Sequence, residues 1–456
     1  MNREPNRKLA ALMAEAGATN KGLAKRVREV AQRHGVHVGT THVSVQRWLD
    51  GSGIQPETAS FLAEALSEKL RRKVTAAALG FPGITAAAPR TGTTYATSLT
   101  EALGILDGLT QHRPEDGVSA EPLIPQGEMD SAVLSWFLAR PDGLVLDKPG
   151  ARRVGMRDVS AIRAAGEAFM RLDFQFGGGH GHKALRVYFR EEVLPLLDAS
   201  FSAKVGTALY DAATEIAQLL AWTAYDTGDH ALANRYMLST LRLTQVTGDR
   251  MMGARILTNM SHQANYLGQA SRAVRLARAS VEGGNGHATP RAMALYSCHE
   301  ARALSTARDQ KGAAHAMNEA ERFFERAESG NDPDWLSYMD EAELVGEFCH
   351  CFRDLKLGRE AVHFAERAVA LTDPKYARTL GFCRMVLAQS QLLNGELEAA
   401  AHTASQAVDG GDALQSARFQ RYVADFQHEI SGHAGNPAVQ QFNEQVREAM
   451  ARLDDD

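Results

Sequence analysis

The sequence predicts an all-α protein: a small helical head followed by a long solenoid of paired helices. Three observations lead there. Within the first eighty residues, apolar side chains recur at i, i+3, i+4 and i+7, the period of a helix with one buried face. From about residue 210, a large apolar residue followed by a small one returns at nearly constant intervals, as in arrays whose units bury themselves against their neighbours. Charge is also divided along the chain. Residues 1–80 hold 13 Lys and Arg against 7 Asp and Glu, a net +6, while the whole chain has 50 against 55, leaving −11 for residues 81–456. A basic head on an acidic body suits a nucleic-acid reader attached to a sensing or scaffolding module.

At 456 residues the chain is too long for one core, and two to four domains are expected. No apolar run approaches the roughly 20 residues that span a bilayer; the longest, Ala132 to Ala139, reads as a short buried helix. Met1 to Lys8 is polar and basic with no apolar stretch behind it, so no secretory signal is expected. Cys298, Cys349, Cys351 and Cys383 fit no zinc spacing and read as small buried residues, which points to a cytoplasmic protein without metal or cofactor.

In the head, Leu9, Leu12, Met13 and Ala16 make the first stripe, which stops at Gly17. Asn20 caps a second helix that buries Leu23, Ala24, Val27 and Ala31 and ends at Gly35. A third starts near Thr40 or Thr41, buries Val45, Trp48 and Leu49, and ends at Asp50-Gly51. Pro56 suits the first turn of a fourth, with Ala59, Leu62, Leu66 and Leu70 inward. On the third helix, steps of about 100° per residue turn Val43 and Arg47 away from the core, with Ser44 and Gln46 on the flanks and Thr41 and His42 at the open end. This is how a recognition helix presents itself, so Thr41, His42, Val43, Ser44, Gln46 and Arg47 are the candidate base contacts in double-stranded DNA. Asn20, Lys21, Lys25, Arg26 and Arg28 on the preceding helix are candidate phosphate contacts that add salt-sensitive affinity. A small helical bundle with a solvated basic face is the alternative. The run Arg71-Arg72-Lys73-Val74-Thr75 after the fourth helix suits a solvated domain edge at least as well as a phosphate contact.

Across residues 6–80 the head resembles the XRE/Cro-repressor family. The resemblance is carried by Asn20-Lys21-Gly22-Leu23-Ala24-Lys25-Arg26-Val27, by Val43-Ser44-Val45-Gln46-Arg47-Trp48-Leu49-Asp50-Gly51, and by Pro56-Glu57-Thr58. It implies a helix-turn-helix domain over 1–80 that enters the major groove through its third helix. Two departures stand out. Leu49 follows the tryptophan where the family has an acidic residue, and Val30 to Gly39 replaces a tight turn, which alters the docking angle.

Residues 81–130 are rich in Pro, Gly, Ala and Thr and read as a linker with one short helix around Leu103 to Leu109. Residues 131–206 read as a helical connecting region. There Val159, Ile162, Arg163, Gly166, Phe169, Leu172 and Phe176 form an amphipathic pattern that stops at Gly177-Gly178-Gly179. Glycines that open a helix favour anions, but no flanking strand and no Gly-Lys-Ser/Thr accompany these. A helix-stopping turn with His180 and His182 packing nearby is the preferred reading.

Over 207–456 the pairs are Leu220-Ala221, Met260-Ser261, Leu304-Ser305, Phe348-Cys349 and Leu387-Ala388, spaced by 40, 44, 44 and 39 residues. Twelve residues after each small member come Ala233, Ala273, Met317, Ala361 and Ala400, and Gly228, Gly268, Gly312, Gly358 and Gly395 are assigned to the intervening turns. The register resembles a tetratricopeptide-repeat array of five copies within about 207–430, with HEAT repeats as the runner-up. In such arrays the first helix of each pair lines the concave face. That register places Gln218, Trp222, Tyr225, Arg255, Thr258, His262, Asn265, His299 and Arg302 there as candidate ligand contacts, followed by Glu343, His350 and Arg353. A polar row of mixed sign suits a peptide or a small polar ligand; a solvated groove with internal ion pairs is the alternative.

No Gly-x-Ser-x-Gly, Walker loop or zincin helix is present, so no enzyme is expected. The combination is similar to the peptide-sensing regulators of Gram-positive bacteria and, in its Ala- and Arg-rich composition, to actinobacterial regulators of development and antibiotic production. The expected function is a sequence-specific transcriptional regulator, homodimeric on a palindrome, whose repeats sense a peptide, small molecule or protein partner, with no membrane partner. The competing expectation is a repeat scaffold without specific DNA binding.

Overall fold

The structure, a computed structural model, describes residues 5–33, 38–72, 74, 76–81, 92–111, 123–144, 146, 152–328, 330–409 and 416–455. The chain divides into two compact units, Met1–Arg90 and Thr91–Asp456. Both are helical.

The first unit holds α1 (Arg7–Glu15), α2 (Asn20–Arg33), α3 (His42–Leu49), α4 (Pro56–Leu70) and a 3-10 turn, Ala76–Leu79. Short polar residues start α1, α2 and α3 by accepting their free N–H groups, while α4 starts on Pro56 without a side-chain cap. The Asn6 side chain accepts from Leu9 N–H and donates to the Leu79 carbonyl, which ties both ends of the unit together. Thr41 and Ser44 form a reciprocal capping box at α3. The α2 cap is Thr19, whose hydroxyl accepts from Gly22 N–H; Asn20 instead spends its side-chain amide on Gln46 Oε1 at 2.9 Å. Leu9, Leu23, Val27, Val45, Leu62 and Leu66 fill the core, and Trp48 meets Phe81 edge-on.

The second unit opens with α5 (Leu99–Thr110), α6 (Gln126–Leu138), α7 (Met156–Phe176), α8 (Gly178–Tyr188), a π-type turn at Phe189–Val193 and α9 (Leu194–Leu197). Five antiparallel pairs follow among the described residues, and then a sixth pair. They are α10 (Ala203–Asp226) with α11 (His230–Thr247), α12 (Arg250–Tyr266) with α13 (Ala270–Gly284), and α14 (Pro290–Thr306) with α15 (Gln310–Glu325). Then come α16 (Glu341–Asp354) with α17 (Gly358–Leu371), α18 (Ala377–Leu393) with α19 (Leu397–Val408), and α20 (Ala417–Ile430) with α21 (Pro437–Asp455). The sixth pair meets through side chains, Phe426 on Phe442 and Gln427 on Asn443, while α21 packs on α19. Successive first helices lie side by side, α10 through α20, and make one face of the stack. The spacing of twelve has a direct structural meaning: Ser261 Oγ donates to the Ala273 carbonyl at 2.8 Å and so joins α12 to α13.

Four sequence expectations change here. First, Gly312 and Gly358 sit inside α15 and α17, not in turns. The left-handed residue, second of three in each of five turns, is Gly228, Gly268, Arg308, Lys356 and Gly395. Second, a sixth pair was missed, because its turn is six residues long and breaks the spacing of twelve. Third, the apolar run at 132–139 belongs to α6, which buries only Met129, Ala132 and Trp136 and leaves Leu138 74% exposed. Fourth, the helix expected within the linker runs over Leu99–Thr110 and buries Leu106 and Leu109 against α11, while 82–91 and 112–122 lie outside the described residues.

The glycine run does stop a helix. Gly177 turns with φ +86°, and α8 starts at once, so close to α10 that a Cβ on Gly178 would lie 2.8 Å from the Thr223 carbonyl oxygen. His182 hydrogen-bonds Thr223, and His180 lies against Phe176. Helix α7 also packs on α18, so the leading and trailing parts of this unit meet.

Candidate functional site

The first candidate surface is on the head. Because α3 buries Val45 and Trp48, its opposite side is solvent-facing: Thr41, His42, Gln46 and Arg47 are exposed and Val43 is 53% exposed. Ser44 is half-buried in the capping box. Gln46 is held by two bonds, accepting from Asn20 and donating to Asp50 Oδ1, both at 2.9 Å. Lys21, Lys25 and Arg26 are exposed on α2, with Lys25 in a loose pair with Glu29. Arg28 donates to the Thr40 carbonyl and braces the entry to α3. In the basic run, Arg72 is held by Glu15, while Lys73 and Thr75 lie outside the described residues.

The second is a cavity of about 640 Å³ in the body. It forms where the C-terminal ends of α12, α14, α16 and α18 converge and α20 runs alongside. Arg302, Arg353 and Arg421 supply guanidiniums, Arg308 and Lys356 extend from the turns, and Tyr266 and Tyr422 supply aromatic faces. Asp354, Asp425 and Glu429 also line it. Arg302 Nη1 reaches both carboxylate oxygens of Glu347 at 3.1 Å, but its Nε–H has no acceptor among the described residues. Arg353 is engaged by Asp354 at 2.7 Å and Gln389 at 2.8 Å.

Buried charge concentrates on this inner face. Desolvation pushes the histidine pKa values down: His262 and His350 fall well below the ordinary value and His299 to about 4, with Arg302 nearby reinforcing burial in each case. Burial, with the Glu347 and Asp340 carboxylates, raises Glu343 to about 8.

Of the nine ligand contacts expected from sequence, His262, Asn265 and Arg302 line the cavity. The others stand behind or beside it. Tyr225 is fully buried and bonds His262 Nδ1 at 2.9 Å; Thr258 is fully buried and bonded to Ala254 and Ser280. Arg255 is turned to Tyr338, and His299 packs on His262. Trp222 lies under the Arg418 guanidinium, and Gln218 is half-buried on α10. Residues missed from the sequence, Arg308, Lys356, Arg421 and Tyr422, come from turns and from the sixth pair. The left-handed turn position shared with three glycines was the available signal for the first two.

Residues 9–82 match the family model described as the SP15 N-terminal domain, a stretch that spans α1 to α4. No curated protein matches the chain.

Proposed function

We propose that the protein is a sequence-specific DNA-binding transcriptional regulator whose helical-repeat body takes an effector. One observation carries this reading: α3 is capped at its start, anchored by Val45 and Trp48, and presents Thr41, His42, Val43, Gln46 and Arg47 to solvent beside the cations of α2. Exposed polar groups on a rigid helix can reach base edges, and flanking cations neutralise phosphates. The basic balance of residues 1–80, against an acidic remainder, supports the same assignment. A homodimer on a palindrome is the working form in this proposal, since a single half-site gives modest affinity.

The test is selection from random duplex DNA with the full-length protein and with its Arg47→Ala variant. An enriched motif that the variant binds about 1–3 kcal/mol more weakly supports the regulator. Binding only at low salt, without enrichment and indifferent to Arg47, favours a scaffold.

A further inference from the structure

We infer that the cavity at the C-terminal ends of α12, α14, α16 and α18 binds a small anionic molecule through a phosphate or carboxylate group. This deepens the effector half of the proposed function and rests on it only for the consequence, not for the binding itself.

The first argument is backbone strain. Five equivalent turns each need a left-handed residue, a conformation that disfavours a side chain and suits glycine. Three turns use Gly228, Gly268 and Gly395, while the other two use Arg308 (φ +63°) and Lys356 (φ +64°). Those two turns line the cavity, and the three glycines do not. Among the described residues of the body, the two strained non-glycine positions thus each place a cation at the cavity rim, while the third in the chain, Arg71, ends α4 in the head. Strain retained at a cavity is a pointer to function.

The second argument is unspent donor capacity. Arg302 is 7% exposed, lines the cavity, and keeps an Nε–H without an acceptor among the described residues. A buried guanidinium N–H left unpaired is costly, and an anion is the acceptor that satisfies it best. Arg421 stands over the Tyr266 ring, its Cζ 4.9 Å from the centroid, with Asp425 3.6 Å away. Five cationic side chains face three carboxylates in the lining, Asp354 among them already engaged by Arg353 and Thr306. Glu347, behind Arg302, occupies only its Nη1. Such an excess of cations is unusual in a body whose residues 81–456 sum to −11.

The third argument is size. A volume of about 640 Å³ lies in the range of small-molecule sites. An extended peptide would follow the row of first helices to α10, but there the Arg418 guanidinium covers Trp222 and Tyr225. A compact ligand with an anionic end on the arginines and an apolar part against Tyr266, Tyr422 and Leu392 fits the lining.

The experiment is isothermal titration of the full-length protein, without DNA and at constant ionic strength, with inorganic pyrophosphate and separately with citrate. Saturable binding of pyrophosphate assigns the phosphate class, and of citrate alone the carboxylate class. The double variant Arg308→Gly/Lys356→Gly should bind about tenfold or more weakly, the loss of a charge-assisted contact, while its thermal midpoint in the absence of anion stays level or rises. Opposite movement of binding and stability separates a ligand role from a structural one. Arg421→Gln should also weaken binding. No saturable binding of either anion, or equal binding by all variants, overturns the inference. DNA binding measured on the same preparations keeps the two readings apart: intact DNA recognition with no anion binding leaves the regulator standing and removes this site.

Discussion

Asp226 Oδ1 accepts a hydrogen bond from Arg378 Nη1 at 3.0 Å across 152 residues of chain, and both side chains are buried. Around them, Asp226 also accepts from Ser416 Oγ and from Gly178 N–H at the start of α8, and the Arg418 guanidinium stands 3.5 Å away. Asp173 takes the other side of Arg378 at 3.3 Å. Two aspartates and two arginines thus join α7, α8 and α10 to α18 and α20. Burial opposes ionisation of Asp226, but the two guanidiniums and the hydrogen bonds outweigh it and hold its pKa below the ordinary value. Burial drives Asp173, less well supplied, up to about 6. The glycine run does open a helix onto an anion, and that anion is the protein's own carboxylate.

Removing Asp226 leaves Arg378, Arg418 and the α8 N-terminus without their shared acceptor. Asp226→Ala should lower unfolding free energy by about 3–5 kcal/mol, the range for breaking a buried ion pair from one side. Chemical denaturation followed by circular dichroism reads this. A loss below about 1 kcal/mol would mean the closure contributes little.

The α6 anchor makes a packing prediction. Trp136 is buried between α12 and α13, donates to Thr244 Oγ1 at 3.0 Å and carries the Arg250 guanidinium over its ring. A Cβ on Gly283 would lie 2.7 Å from that ring, and one on Gly253 would overlap it. Trp136→Ala should cost about 3–5 kcal/mol through the cavity left behind. Gly283→Ala should cost about 1–3 kcal/mol by overpacking. Thermal denaturation of the two variants tests both, and an unaffected Gly283→Ala would show that the ring is free to move.

His299 makes a pH prediction. Its folded pKa of about 4 lies below the unfolded value, chiefly through burial. The unfolded chain therefore takes up a proton first as pH falls. Stability from this group is complete above about pH 6.5 and is lost on the way down to about pH 4, on the order of 3 kcal/mol in all. His299→Gln should flatten the stability profile in that window. A profile unchanged by the substitution would assign the acid loss to other groups.

Two arginines of the head should separate stability from recognition. Arg28 donates to the Thr40 carbonyl, so Arg28→Ala should loosen α3 and raise hydrogen exchange in residues 42–49. The Arg47 guanidinium is exposed and makes no such bond among the described residues, so Arg47→Ala should leave exchange unchanged and act only on DNA affinity. Faster exchange in both variants would make Arg47 a structural residue.

Local periodicity made much of the fold legible. Helix stripes such as Leu9/Met13 and Leu23/Val27 need only a 3.6-residue period, and the Ser261/Ala273 spacing needs only a helix, a turn of three and a close approach. The exposed face of α3 followed from the same arithmetic. Legibility ended where the partners were distant in sequence. Tyr225, Thr258 and His299 share the register of cavity residues, yet are covered by neighbours in the stack.

By itself, the sequence determined an all-α chain of paired helices, because helix periodicity and turn chemistry act over a few residues at a time. Tertiary structure decided which charges face inward, where the cavity lies and how the body closes. Those outcomes depend on small rotations between pairs that accumulate along the stack. Only that accumulation brings Asp226 to Arg378, and Arg421 of the sixth pair to Arg302 of the third, through contacts that no local pattern encodes.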